Sequence, residues 1–96
     1  MSSLRKIKND TIEGNGFTLT IPGIEELVYI EGDQKLNVYI EGGIKNGIVH
    51  WHIYWSTVNS WSKPHQEKLL TEVDRNRILN NITDGLKLLN LSYEIH

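Results

Sequence analysis

The chain has 96 residues, a formal net charge of −2, 39% hydrophobic and 23% charged residues, and no cysteine. That length and balance fit one globular domain rather than a disordered chain, and without a basic excess there is no field to hold nucleic acid. The missing cysteine excludes disulfides, thiolate nucleophiles and cysteine zinc sites, and accords with a reducing cytosol.

The opening Met1-Ser2-Ser3-Leu4-Arg5-Lys6-Ile7-Lys8 carries positive charge with no apolar run behind it. It does not read as a signal peptide, and no later segment reads as a membrane span. A strand within Leu4 to Glu13 would make Gly14-Asn15-Gly16 a hairpin turn, although Asn9-Asp10 interrupts it. Phe17-Thr18-Leu19-Thr20-Ile21 alternates with Phe17, Leu19 and Ile21 inward, and Pro22-Gly23 closes it. Leu27-Val28-Tyr29-Ile30-Glu31 is the next strand, followed by a turn over Gly32-Asp33-Gln34-Lys35. A two- or four-residue loop there puts Leu27 and Tyr29 inside, and a three-residue bulged loop puts Val28 and Ile30 inside. The second is preferred, because it sets Tyr29 and Glu31 beside Tyr39 and Glu41.

Leu36-Asn37-Val38-Tyr39-Ile40-Glu41 and Gly47-Ile48-Val49-His50-Trp51-His52-Ile53-Tyr54-Trp55-Ser56 both alternate, and Asn46-Gly47 between them is a two-residue hairpin turn. With that turn Lys45 lies opposite Ile48, Ile40 faces Ile53, Val38 faces Trp55, Tyr39 faces Tyr54, and Glu41 faces His52. Apolar meets apolar and polar meets polar, so one register satisfies both faces. Val49, Trp51, Ile53 and Trp55 are expected to be buried. His50, His52, Tyr54 and Ser56 are expected on a polar face.

Positions 57–70 have no clear periodicity and read as a long loop, a feature often tied to function. Thr71-Glu72-Val73-Asp74 then caps a helix with acids in its first turn, although Asp74 stands where a capping box has Glu or Gln. Ile78, Leu79, Ile82, Leu86 and Leu89 form one apolar stripe. Arg75, Asn76, Arg77, Asn80 and Asn81 occupy the remaining helix surface. Gly85 is a place for close packing on the sheet, and Asn90 a C-cap. Leu91-Ser92-Tyr93-Glu94-Ile95 alternates as a short terminal strand. The expected fold is a single α+β domain over 1–96. An antiparallel meander (about 4–56) is followed by a loop (57–70), one helix (about 72–89) packed on one sheet face, and a strand (91–95).

Several residue sets on this frame suggest chemistry. His50 and His52 share a strand face, a spacing that can serve zinc, and Glu41 is a possible third ligand. No second ligand cluster is visible, so the expectation is no metal and no cofactor. Glu41, His52, Tyr39 and Tyr54 are also the makings of an acid–base set for a small ribonuclease or other hydrolase using Glu41 and His52. No motif nucleophile or phosphate-cradling loop accompanies them, so the expected class is not an enzyme. Trp61, with Pro64 and His65, reads either as an interface anchor or as a lid on the open end of the core. The acids Glu25, Glu26, Glu31, Asp33 and Glu41 face only Lys35 between positions 24 and 43, a possible docking surface for a basic partner.

One order of motifs runs through most of the chain. Tyr29-Ile30-Glu31-Gly32-Asp33 precedes a strand ending in Glu41, then come Trp61-Ser62-Lys63-Pro64 and the capped helix Thr71 to Ile82. This order resembles the immunity protein 74 family of bacterial polymorphic toxin systems over roughly Val28 to Leu89. The resemblance implies a small cytosolic antidote that binds a toxin domain delivered by a neighbouring cell. It carries no catalytic set, and its motif positions Tyr29, Glu31, Trp61 and Pro64 look structural. The expected function is binding and neutralising a cognate toxin domain in the cytoplasm, with no nucleic-acid or membrane partner and the oligomeric state open. The surface assigned to that partner comprises Glu31, Asp33, Tyr39, Glu41, His52, Tyr54, Trp61 and His65. A hydrolase and a structural or oligomerisation module are the alternatives.

Overall fold

The computed structural model describes residues 4–8, 10–62 and 68–96. Among the described residues seven strands lie in chain order in one sheet: β1 Arg5–Lys8, β2 Thr11–Glu13, β3 Thr18–Thr20, β4 Glu26–Glu31, β5 Gln34–Lys45, β6 Ile48–Ile53 and β7 Ser92–Ile95. The helix α1, Glu72–Leu88, precedes the last strand, so the architecture is the expected α+β. Every neighbouring pair is antiparallel except β6 and β7. Parallel neighbours require a crossover connection, and α1 supplies it.

The hairpin of β5 and β6 forms in the expected register. Lys45 pairs with Ile48, Glu41 with His52 and Ile40 with Ile53. Asn46 and Gly47 both take positive φ, 53° and 79°, as a two-residue turn that follows the twist of the strands requires. The ladder stops at Ile53. Tyr54 still donates its N–H to the Tyr39 carbonyl at 3.0 Å, and Trp55 then enters a short 3₁₀ turn, Trp55–Thr57. Val38 and Trp55 are therefore both buried without being ladder partners.

The parity of β4 is the reverse of that preferred from sequence. Leu27 and Tyr29 are fully buried, and Ile30 is 40% exposed. The reason is loop length. Glu31 pairs with Gln34, so Gly32 and Asp33 alone make the turn, and Gly32 takes φ 64°, the positive value that the first position of a II′ turn asks of a glycine.

The core is built from Ile12, Leu19, Leu27, Tyr29, Leu36, Val38, Ile40 and Ile53 of the sheet and Ile78, Ile82 and Leu86 of α1, all fully buried. Each such side chain contributes about 1.5–3 kcal/mol on leaving water. Gly85 sits where the helix crosses β2 and β3. A Cβ there would lie 2.6 Å from Leu19 Cδ2 and 3.9 Å from Ile12 Cβ, so the missing side chain sets the approach of helix to sheet. Trp55 is 6% and Trp61 4% exposed, and both join the core. Trp51 is only half-buried, and Val49 is 49% exposed because the hairpin runs on past the end of the core.

Both helix ends are closed by side chain and backbone. Thr71 Oγ1 accepts from the Asp74 N–H at 3.1 Å, and the Thr71 N–H donates to Asp74 Oδ2 at 3.2 Å, so the capping box forms with Asp in place of Glu. At the other end Asn90 takes φ 58°; its N–H reaches the Lys87 carbonyl and the Leu91 N–H reaches that of Leu86. That pair of bonds is a Schellman motif, with Asn90 just past the cap residue Leu89.

Two arginines of α1 are tied down rather than free on the surface. Arg77 forms a two-pronged pair with Glu31 (2.8 and 3.2 Å) and also meets Asp74 at 3.0 Å. The Arg75 guanidinium lies 4.9 Å from the Trp55 ring centroid and donates to the Val58 and Trp55 carbonyls. Arg75 thus fastens the start of the helix to the 3₁₀ turn. The following loop is pinned by a bridge between Ser60 and Leu69 and by the Ser62 N–H on the Lys35 carbonyl at 2.7 Å.

Candidate functional site

The helix covers one face of the sheet and leaves the other face of β5, β6 and β7 uncovered. Side chains alternate along each strand, so Tyr39 and Glu41 of β5, His50 and His52 of β6 with Tyr54 after it, and Ser92 and Glu94 of β7 with His96 after it, share that outer face. The parallel register makes this possible: His50 pairs with Ser92 and His52 with Glu94. His96 is placed by its own backbone, its N–H on the Ile53 carbonyl at 2.8 Å and its carbonyl accepting from Ser56 at 2.9 Å.

A continuous row of rings crosses the three strands. Tyr39 and Tyr54 have centroids 5.3 Å apart, Tyr54 and His96 stack at 5.2 Å, His96 and His52 lie at 5.1 Å, and His52 meets His50 edge-on at 5.3 Å. Glu41 sits between the tyrosines and accepts from Tyr39 at 3.4 Å and from Tyr54 at 3.5 Å. The Glu41 charge raises the Tyr39 phenol pKa, and burial followed by the Glu41 charge raises that of Tyr54, so both hydroxyls remain protonated donors.

His50 does not behave as an exposed polar-face residue. It is 7% exposed, with Nδ1 2.6 Å from Ser92 Oγ and Nε2 3.3 Å from Glu94 Oε1. A carboxylate only accepts, so Nε2 carries the proton and Nδ1 accepts from the Ser92 hydroxyl. The bond from His50 holds the Glu94 carboxyl below the usual carboxylate range, aided by the nearby imidazoles. Next to it, His52 Nδ1 lies 2.9 Å from His96 Nε2, and His96 Nε2 lies 3.5 Å from Glu94 Oε2.

Of the residues assigned to a partner from sequence, Tyr39, Glu41, His52 and Tyr54 come together here. Trp61 does not: it is buried in the core, in line with the lid reading and not the anchor reading, which corrects its place in the partner surface. The chain beyond it is held to β5 through Ser62, whose hydroxyl meets Asn37 Oδ1 at 3.2 Å. His65 lies outside the described residues. Glu31 shares the helix side of the sheet with Tyr29, where it accepts from Arg77 and from the Tyr29 hydroxyl at 2.6 Å, while Asp33 is exposed at the β4–β5 turn. Tyr29 itself is fully buried, stacked on Phe17 at 5.4 Å, and burial and the Glu31 bond push its pKa far up. Glu41 and His52 are ladder partners, but no hydrogen bond joins them; each side chain is engaged elsewhere.

Sequence reasoning left Ser92, Glu94 and His96 out of the site. Their alternation is visible in the sequence, but not that the terminal strand lies beside β6. A second feature it left out is the end of the hairpin. β4 pairs with β5 only over residues 34–39, and Ile40 donates to the Glu25 carbonyl at 3.1 Å. Beyond that, the edge of β5 opposite β6 meets no strand among the described residues. An open groove of about 510 Å³ follows this edge, lined chiefly by Ile24, Tyr39, Gly42, Ile44, Val49 and Trp51. Ile24 is 75% and Ile44 74% exposed, so a substantial apolar surface stands next to unpaired backbone.

Compared with known proteins, the chain matches no protein family, no curated protein and no solved structure. No helix among the described residues is long and apolar enough to cross a membrane.

Proposed function

We propose that this chain is a binding protein that neutralises a cognate toxin domain in the bacterial cytoplasm, an immunity protein rather than an enzyme. The observation that carries this reading is the uncovered outer face, where Tyr39, Tyr54, His52 and His96 form one row with Glu41. Tyrosines supply large contact area at small conformational cost, which suits a surface that must hold another protein. The adjoining edge of β5 supports the same reading. It offers backbone groups and apolar side chains of the kind that accept an added strand. The partner surface is accordingly Tyr39, Glu41, His52 and Tyr54, continued not by Trp61 but around the open edge of β5, along the groove there, to Ile44 and Val49 on the helix side of the hairpin. Asp33 contributes charge that speeds encounter with a basic partner.

Binding is favoured over the hydrolase alternative by the engagement of the two candidate groups. Glu41 is held by two phenols, and His52 is turned to His96. Tight neutralisation, in the nanomolar range, corresponds to about 12 kcal/mol, so a few side chains must dominate. The test is calorimetric titration of the purified chain with a candidate toxin domain sought among its neighbouring genes. A one-to-one complex of nanomolar affinity is expected. Absence of binding, together with hydrolytic activity that depends on Glu41 and His52, would replace this reading with the enzymatic one.

A further inference from the structure

The imidazole end of the outer face has a property that partner binding does not require. One ligand atom from each of His52, Glu94 and His96 lies within 4.8 Å of the other two. Around a tetrahedral zinc ion, with ligands at about 2.0–2.2 Å, neighbouring ligand atoms are about 3.3–3.6 Å apart. The 3.5 Å from His96 Nε2 to Glu94 Oε2 is already of that size, the 2.9 Å between His52 Nδ1 and His96 Nε2 must open by about 0.4–0.7 Å, and the His52–Glu94 pair, within 4.8 Å, closes by side-chain rotation. We infer that His52, Glu94 and His96 form a binding site for a single zinc ion.

Three further observations support it. The backbone of all three ligands is fixed by hydrogen bonds of the sheet, since His52 and Glu94 are ladder partners and His96 is held at both its N–H and its carbonyl. The ligands therefore meet without ordering a loop. Glu94 is also oriented from behind. The buried His50 donates to Oε1, and Ser92 fixes His50, leaving Oε2 turned to His96. A hydrogen-bonded partner behind a ligating carboxylate is the usual support of a metal site. Finally, two imidazoles and one carboxylate suit zinc and not calcium or magnesium, which select all-oxygen shells. Without metal, His52 and His96 share one N–H between their facing nitrogens. Ion binding needs both lone pairs, so that proton passes through solvent to the other nitrogen of its ring, or is released if the ring was charged. Three protein ligands leave a fourth position to water on the solvent side, since Glu94 and His96 are exposed.

This inference does not rest on the toxin reading, and its test needs no partner. The full chain, free of any histidine tag, is titrated with zinc chloride by calorimetry, and with cobalt(II) to read tetrahedral coordination from visible absorption. One ion per chain at micromolar affinity is expected. His52→Ala, His96→Ala and Glu94→Gln should each weaken binding by at least about tenfold, with circular dichroism confirming the fold of each variant. Glu41→Gln should change affinity less than about twofold. Zinc binding that is absent up to millimolar concentration overturns the site, as does binding that survives both histidine substitutions. A loss on Glu41→Gln but not on Glu94→Gln would move the site to the other side of His52 and equally refute this one.

Discussion

Asn81 of the helix donates its side-chain N–H to the Tyr29 hydroxyl at 3.0 Å, and Tyr29 in turn donates its O–H to Glu31 Oε2 at 2.6 Å. Helix and sheet are thus joined by a polar chain at the edge of an otherwise apolar core. Tyr29→Phe keeps the ring stacked on Phe17 but leaves Asn81 without its acceptor. The expected loss is about 1–3 kcal/mol in urea unfolding. Asn81→Ala should cost less in that background than in the wild-type chain, because the two residues share one bond. Equal costs in both backgrounds would show that the contact contributes nothing.

Gly85→Ala sets two effects against each other. Alanine favours helix by about 1 kcal/mol over glycine. The new methyl, however, would press on Leu19 Cδ2 at 2.6 Å inside the core. Overpacking of that kind costs about 1–3 kcal/mol. Net destabilisation is expected, with a lower melting temperature. A variant more stable than wild type would mean that Leu19 moves aside freely.

The capping box gives stability a defined acid dependence. The Thr71 N–H and Arg77 hold the Asp74 carboxyl below its ordinary value near 3.8. A depressed carboxylate stabilises the folded state above its unfolded pKa, and that contribution is lost as pH falls through the lower folded value. Asp74→Asn should therefore be less stable than wild type at pH 6, and the gap in urea midpoint should narrow as pH falls from the ordinary carboxylate value through the lower folded one. A gap that stays constant with pH would remove the charge from the account.

Much of the fold can be read from the sequence, for physical reasons that differ by element. Asn46-Gly47 fixes the β5–β6 register because few residues accept positive φ, and the alternation on both strands then has one consistent solution. The helix is legible from its stripe and from Thr71. The parity of β4 is not, because Gly32-Asp33-Gln34-Lys35 allows turns of two, three or four residues and only the pairing of Glu31 with Gln34 decides. The site is legible by halves. Tyr39, Glu41, His52 and Tyr54 follow from the hairpin. Glu94 and His96 join them through a parallel pairing made across about 40 residues of chain, which local pattern does not encode. Trp61 is open to two readings in the sequence, anchor or lid, because its loop lacks periodicity, and its burial in the core cluster that also holds Trp55 and Val58 selects the lid.

The central claim is that the outer sheet face holds a toxin, and co-expression tests it most directly. The chain and a candidate toxin domain sought among its neighbouring genes are produced together in cells, and growth is scored for each variant alongside a check of folding. Tyr39→Ala, Tyr54→Ala and, on the open edge, Ile44→Glu should each weaken the complex by about tenfold or more, equivalent to about 1.4 kcal/mol, and reduce protection. Asn80→Ala and Asp84→Asn, on the exposed side of the helix, should protect as wild type does. Full protection by folded Tyr39, Tyr54 and Ile44 variants, with protection lost in folded Asn80 or Asp84 variants, would place the partner on the helix and contradict the account.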